Sequence, residues 1–134
     1  MKRNQNGFSL VELIIVIAIM AVLIGLLAPQ YLKFVSRAKV NTDIQNAVSI
    51  ADAVNAAIID NGIGSLSSPI TGAGGTSVSG VPSLTALPNS KVNASYSWTI
   101  TFTEDDGVTE IQLNGKKIFP GDSSSLEYYS SYYH

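Results

Sequence analysis

One carboxylate in this chain stands where carboxylates are rare. Glu12 lies within an apolar run that extends from Phe8 to Ala28, and from Leu13 to Ala28 that run reads LIIVIAIMAVLIGLLA. About 21 residues precede Pro29, enough to cross the hydrocarbon core of a bilayer as a helix. A charge inside such a span costs about 2.5–3.5 kcal/mol on insertion scales, so an intramembrane carboxylate is read as functional, and its chemistry is to meet a cation. A second acidic group, Glu104, Asp105 and Asp106 with Asp122 nearby, supplies hard oxygen ligands that could hold Ca²⁺. Its spacing fits no EF-hand, and a solvated hairpin turn is the commoner use of such residues, so no cofactor is expected and calcium is the weaker alternative. Cysteine is absent and the sole histidine is the last residue, His134. Nucleophilic, His-based and thiolate–metal chemistry therefore have almost no raw material, and an enzyme is not expected.

The elements that must position Glu12 follow from composition. The chain has 134 residues, 46% hydrophobic, with a formal net charge of −2. Much of the hydrophobic content lies before Pro29, and the remainder is rich in Ser, Thr, Asn and Gly. One small domain fits beyond the apolar span, and its core would be marginal without a long helix to pack on. The near-neutral charge and the lack of a basic stripe after Lys39 give no sign of a nucleic-acid binder.

The first seven residues, MKRNQNG, are short, polar and basic. Three readings of the apolar run behind them stand side by side. A secretory signal peptide has an apolar core of 7–15 residues and a small-residue cleavage site, whereas here the core is longer and Ala28 is succeeded by Pro29. A plain single-span anchor fits the length and leaves Glu12 unexplained. Cleavage between Gly7 and Phe8 would keep the span in the mature protein.

Gly7-Phe8-Ser9-Leu10-Val11-Glu12-Leu13 resembles the type III signal sequence of type IV pilins and type II secretion pseudopilins. The resemblance covers roughly the first 40 residues. It implies that a prepilin peptidase cuts after Gly7 and that Phe8 becomes the N-methylated first residue. It implies that Glu12, at the fifth mature position, serves subunit docking, and that Pro29 is the helix-bending proline of the family. It further implies a cytoplasmic N-terminus, which charge alone leaves open, since Lys2 and Arg3 are matched by Lys33, Arg37 and Lys39 beyond the span. The expected partners are further copies of the chain in a helical filament, the prepilin peptidase, and an assembly platform with its ATPase. The expected location is a single pass in the cytoplasmic membrane, then an extracellular filament.

The physics of Glu12 agrees with that role. Cleavage at Gly7 would create an α-amino group with a reference pKa of about 7.7–8.0, mostly cationic at neutral pH. A staggered array of identical helices would bring one such amine to each buried carboxylate and offset its desolvation. The alternative is an acidic residue that favours the helix dipole at the membrane interface.

Beyond the span, Gly25 and Pro29 both weaken a helix, so a kink or local melting is expected there. Val40, Ile44, Ala47, Ala51, Val54 and Ile58 then recur at spacings of three and four, one face of a resumed helix, with Asp43, Gln45, Asn46, Asp52, Asn55 and Asp60 on the remainder. Asp60-Asn61-Gly62 is a stop signal.

From Gly62 to Ser95 the chain reads as loop. Gly72-Ala73-Gly74-Gly75 lacks the lysine of a phosphate loop, and Leu84–Leu87 suggests a short helical turn. Asn93-Ala94-Ser95 is a formal glycosylation sequon. Tyr96, Trp98, Ile100 and Phe102 alternate with small polar residues, the pattern of a half-buried strand. A turn at Glu104–Gly107, a strand over 108–113, the tight-turn signal Asn114-Gly115 and a strand over 116–119 complete a three-stranded antiparallel meander. Tyr128, Tyr129, Tyr132 and Tyr133 in the tail suit a contact surface, though a frayed or locally packed terminus is the commoner use of such a segment.

The expected fold class is α+β, a long N-terminal helix packed on a small antiparallel sheet. Its parts are a leader (1–7), an apolar membrane or filament-core helix (8–28), an amphipathic helix (29–61) and a loop-rich β-sheet head (62–134). The expected function is a structural subunit of a type IV pilus filament. A pseudopilin of a type II secretion or competence system is the first alternative, and an anchored binding module the second.

Overall fold

The computed structural model describes residues 7–62, 64 and 66–121. Its elements, in chain order, are α1 (Leu10–Asn61), β1 (Ile70–Ala73), β2 (Ser97–Thr103), β3 (Gly107–Leu113) and β4 (Lys116–Phe119). Every strand pair is antiparallel and the sheet order is β1-β2-β3-β4. The class is α+β, a long apolar N-terminal helix with a small antiparallel sheet in the pilin-like arrangement. By its contacts the chain divides into two units, Met1–Val35 and Ser36–His134.

In the first unit, α1 is exposed along the whole of Leu10–Phe34. A helix apolar all round has neither a polar face for water nor a single stripe to turn toward a core. Its most apolar 18-residue stretch has a mean hydropathy of 3.1 and no buried residue. Length and composition suffice to cross a membrane. The helix runs unbroken through Gly25 and Pro29, so the expected weak point does not interrupt it in this structure.

In the second unit, the helical stripe meets the sheet. Val40, Ala47, Ala51 and Val54 are buried, as their spacing predicts, and Ile50 and Ala57 join them. Ile44 and Ile58 are only partly buried against the same core. The opposing layer is Trp98, Ile100 and Phe102 from β2, Val108, Ile111 and Leu113 from β3, and Ile118 from β4. The spacing of three between Val108 and Ile111 breaks strict alternation. A β-bulge resolves it: Thr101 pairs with Glu110 while Phe102 pairs with Val108, which leaves Thr109 as the extra residue.

Three expectations are corrected. The segment read as loop contributes a strand: β1 pairs with β2 from Ile70↔Ile100 to Ala73↔Ser97, so the sheet has four strands rather than three. No helical turn forms at Leu84–Leu87; Val78 N donates to Thr85 O and Leu87 N to Thr76 O, a strand-like return closed by the Ser77↔Ala86 bridge. Asp43, placed off the apolar stripe of the helix, is fully buried. Its carboxylate accepts from Ser90 Oγ at 2.6 Å, Lys91 N at 2.7 Å and Val92 N at 3.3 Å. A charge can be buried only where donors replace its water, and here the helix uses one to tie down the loop before β2.

The start of β3 is tied down in a similar way. Asn55 Oδ1 accepts from Val108 N at 2.8 Å. Gly107 beside it has φ +69°, and a Cβ there would lie 2.5 Å from the same oxygen, so both conformation and space call for glycine.

Candidate assembly site at the start of the helix

Gly7, Phe8 and Ser9 precede the first helical residue, Leu10, and are exposed, Phe8 by 93%. Among the described residues, no atom outside its chain neighbours lies within 4 Å of where a Gly7 side chain would sit. The Gly7–Phe8 bond thus lies in accessible, non-helical backbone.

The first turn of α1 is closed by Ser9 and Glu12. Ser9 O accepts from Leu13 N at 3.2 Å, which makes Ser9 the cap residue. Ser9 Oγ accepts from Glu12 N at 3.2 Å, and Glu12 Oε2 accepts from Ser9 N at 3.2 Å. The pair is a capping box, which satisfies donors that the start of a helix otherwise leaves unpaired. Sequence reading did not find it, although Ser-x-x-Glu before an apolar run is its signature. Of the two readings weighed for Glu12, the local one gains a specific form: the carboxylate holds the N-terminus by a hydrogen bond as well as by the dipole. Both residues lie after the Gly7–Phe8 bond, so cleavage there would leave the box intact.

The other singled-out residues lie elsewhere. Gly25 and Pro29 are exposed positions within α1. Glu104, Asp105 and Asp106 form the exposed turn between β2 and β3, where Asp106 N donates to Thr103 Oγ1 at 3.1 Å. Among the described residues no group of three His, Cys, Asp or Glu is placed to hold a metal. Asp122 and the tyrosine-rich tail lie outside the described residues.

A helix of membrane-crossing length with a capped N-terminus precedes a small α+β head along the chain. Comparison with known proteins shows what the chain is similar to. Residues 2–28 match the prokaryotic N-terminal methylation motif. The chain is 39% identical over 61 residues to the type IV major fimbrial protein FimA of Dichelobacter nodosus, covering 46% of this chain and 36% of that protein. It is 37% identical over 65 residues to prepilin peptidase-dependent protein A of Clostridium perfringens, covering 48% and 46% respectively. It is 34% identical over 58 residues to a fimbrial protein of Pseudomonas aeruginosa, covering 43% and 38%. The chain thus spans about a third of the length of the FimA relatives it matches. No solved structure matches it. The chain therefore carries the prokaryotic N-terminal methylation motif and, over about 60 residues, is similar to type IV fimbrial proteins.

Proposed function

We propose that this protein is a structural subunit of a type IV pilus filament and not an enzyme. The observation that carries the reading is the conjunction at the start of α1: an accessible Gly7–Phe8 bond, a capped helix with Glu12 in its first turn, and a fully exposed apolar helix behind it. A prepilin peptidase removes residues 1–7 and Phe8 is N-methylated. The subunit waits as a single pass in the cytoplasmic membrane, and an ATPase-driven platform moves it into a surface filament.

Exposure of every side chain from Leu10 to Phe34 has a physical consequence. These residues are stable only in lipid or against other apolar helices, and a bundle of identical helices supplies the second environment once the first is left. Glu12 then exchanges part of its local hydrogen bonding for the Phe8 amine of a neighbouring subunit. The test is Glu12→Ala: processing persists and filament yield collapses, whereas wild-type yield overturns the docking role.

The absence of cysteine keeps a pseudopilin of a secretion or competence system as the second reading, because it removes any disulfide-bounded loop from the head. Sheared surface material separates the two: long filaments built of this chain support the pilus, and their absence alongside defective secretion or DNA uptake supports the pseudopilus.

A further inference from the structure

The Asn93-Ala94-Ser95 sequon is held in a defined geometry. It is the only Asn-X-Ser/Thr triplet in the chain. All three residues are exposed, in the connection just before β2. Asn93 Oδ1 accepts two hydrogen bonds from the same residue, from Ser95 N at 3.0 Å and from Ser95 Oγ at 2.7 Å. Only the oxygen of an amide accepts, so these donors set which way the side chain faces and leave Nδ2 on the opposite side.

The turn is anchored from beneath. Ser90 Oγ donates to the buried Asp43 carboxylate at 2.6 Å and accepts from Asn93 N at 3.2 Å. Tyr96 N donates to Asn93 O at 3.0 Å and closes the turn on its other side. The buried charge in α1 therefore supports the backbone that presents the Asn93 amide.

We propose that Asn93 is an N-glycosylation site, whose co-substrate is a glycan carried on a lipid diphosphate and whose partner is a membrane oligosaccharyltransferase. Two donors on Oδ1 draw electron density toward the oxygen and make the Nδ2 protons more acidic. Nδ2 attacks the anomeric carbon and forms the C–N bond. The bond from that carbon to the phosphate oxygen breaks, and its electron pair leaves with the lipid diphosphate. The proton lost from Nδ2 passes to a carboxylate of the transferase. No oxidant or reductant is needed. The inference rests on the proposed export of the head, because lipid-linked donors are used on the exported side of the membrane.

The test is peptide mass spectrometry of the full chain purified from its native cells. Trypsin yields Phe8–Lys33, which reports processing, and Val92–Lys116, which contains Asn93. The expected result is a glycan on Asn93 in chains that begin with N-methyl-Phe8, lost in Ser95→Ala and retained in Ser95→Thr, both with an unchanged melting temperature. Bare Asn93 in processed, methylated chains overturns this inference and leaves the pilin reading standing. A glycan that survives in Ser95→Ala also overturns it. Chains that still begin at Met1 overturn the pilin reading, whatever Asn93 carries.

Discussion

Ser9 and Glu12 exchange hydrogen bonds, side chain to backbone in both directions, each at 3.2 Å. The residue proposed to meet a neighbour's amine in a filament thus already has a structural task within its own helix. Glutamine can serve that task at the same position, because its side-chain oxygen also reaches the cap amide. Only glutamate brings the charge.

The two roles are therefore separable. Glu12→Gln is expected to keep the start of the helix and the processing of the leader while filament yield falls as far as in Glu12→Ala. Ser9→Ala is expected to cost about 1 kcal/mol of helix stability and to leave most of the filament yield. Quantifying sheared filaments from the three strains is the check, and wild-type yield from Glu12→Gln would count against charge pairing.

Asp43 and Ser90 give a prediction for the head. Asp43→Ala removes the acceptor for three donors at once, and the expected loss is about 3 kcal/mol. Ser90→Ala leaves two of those bonds and is expected to cost about 1–2 kcal/mol. Urea unfolding of the full chain in detergent, followed by Trp98 fluorescence, measures both.

Gly107→Ala is expected to destabilise by about 1–3 kcal/mol, since the position has φ +69° and little room beside Asn55. In Asn55→Ala the steric part of that cost disappears and the conformational part remains. The double variant is thus expected to lose less than the sum of the singles, which a double-mutant cycle reads directly.

Trp98 is fully buried, and its Nε1 donates to Pro88 O at 2.8 Å. Trp98→Ala is expected to cost about 3–5 kcal/mol, seen as a large drop in the melting temperature of the head. Trp98→Phe retains most of the packing and forfeits the hydrogen bond, so its cost is expected to be smaller.

How legible each feature is in the sequence depends on how much context it needs. β2 is legible because Trp98, Ile100 and Phe102 alternate with small polar residues and carry strong strand preference. The buried helix face is legible from Val40, Ala47, Ala51 and Val54. β1 is hidden: Ile-Thr-Gly-Ala has one large apolar residue and sits among glycines, so only its pairing with β2 makes it a strand. Asp43 is hidden for a related reason, because its partners lie 47–49 residues away and no local pattern foretells them. The capping box is different. Its signature is present and local, but the apolar run around Glu12 draws the eye toward a distant partner before the nearest one. The bulge at Thr109 stands between these cases, since the spacing of Val108 and Ile111 implies one and only the register places it.

The central claim is that this chain is made as a precursor and matured at Gly7. Mass spectrometry of the N-terminal residue of the chain in isolated cell-surface filaments tests it most directly. The account predicts that the mature chain begins at Phe8 and carries one methyl group on its α-amine. A filament or membrane chain that begins at Met1, or at any residue after Ala28, would contradict it.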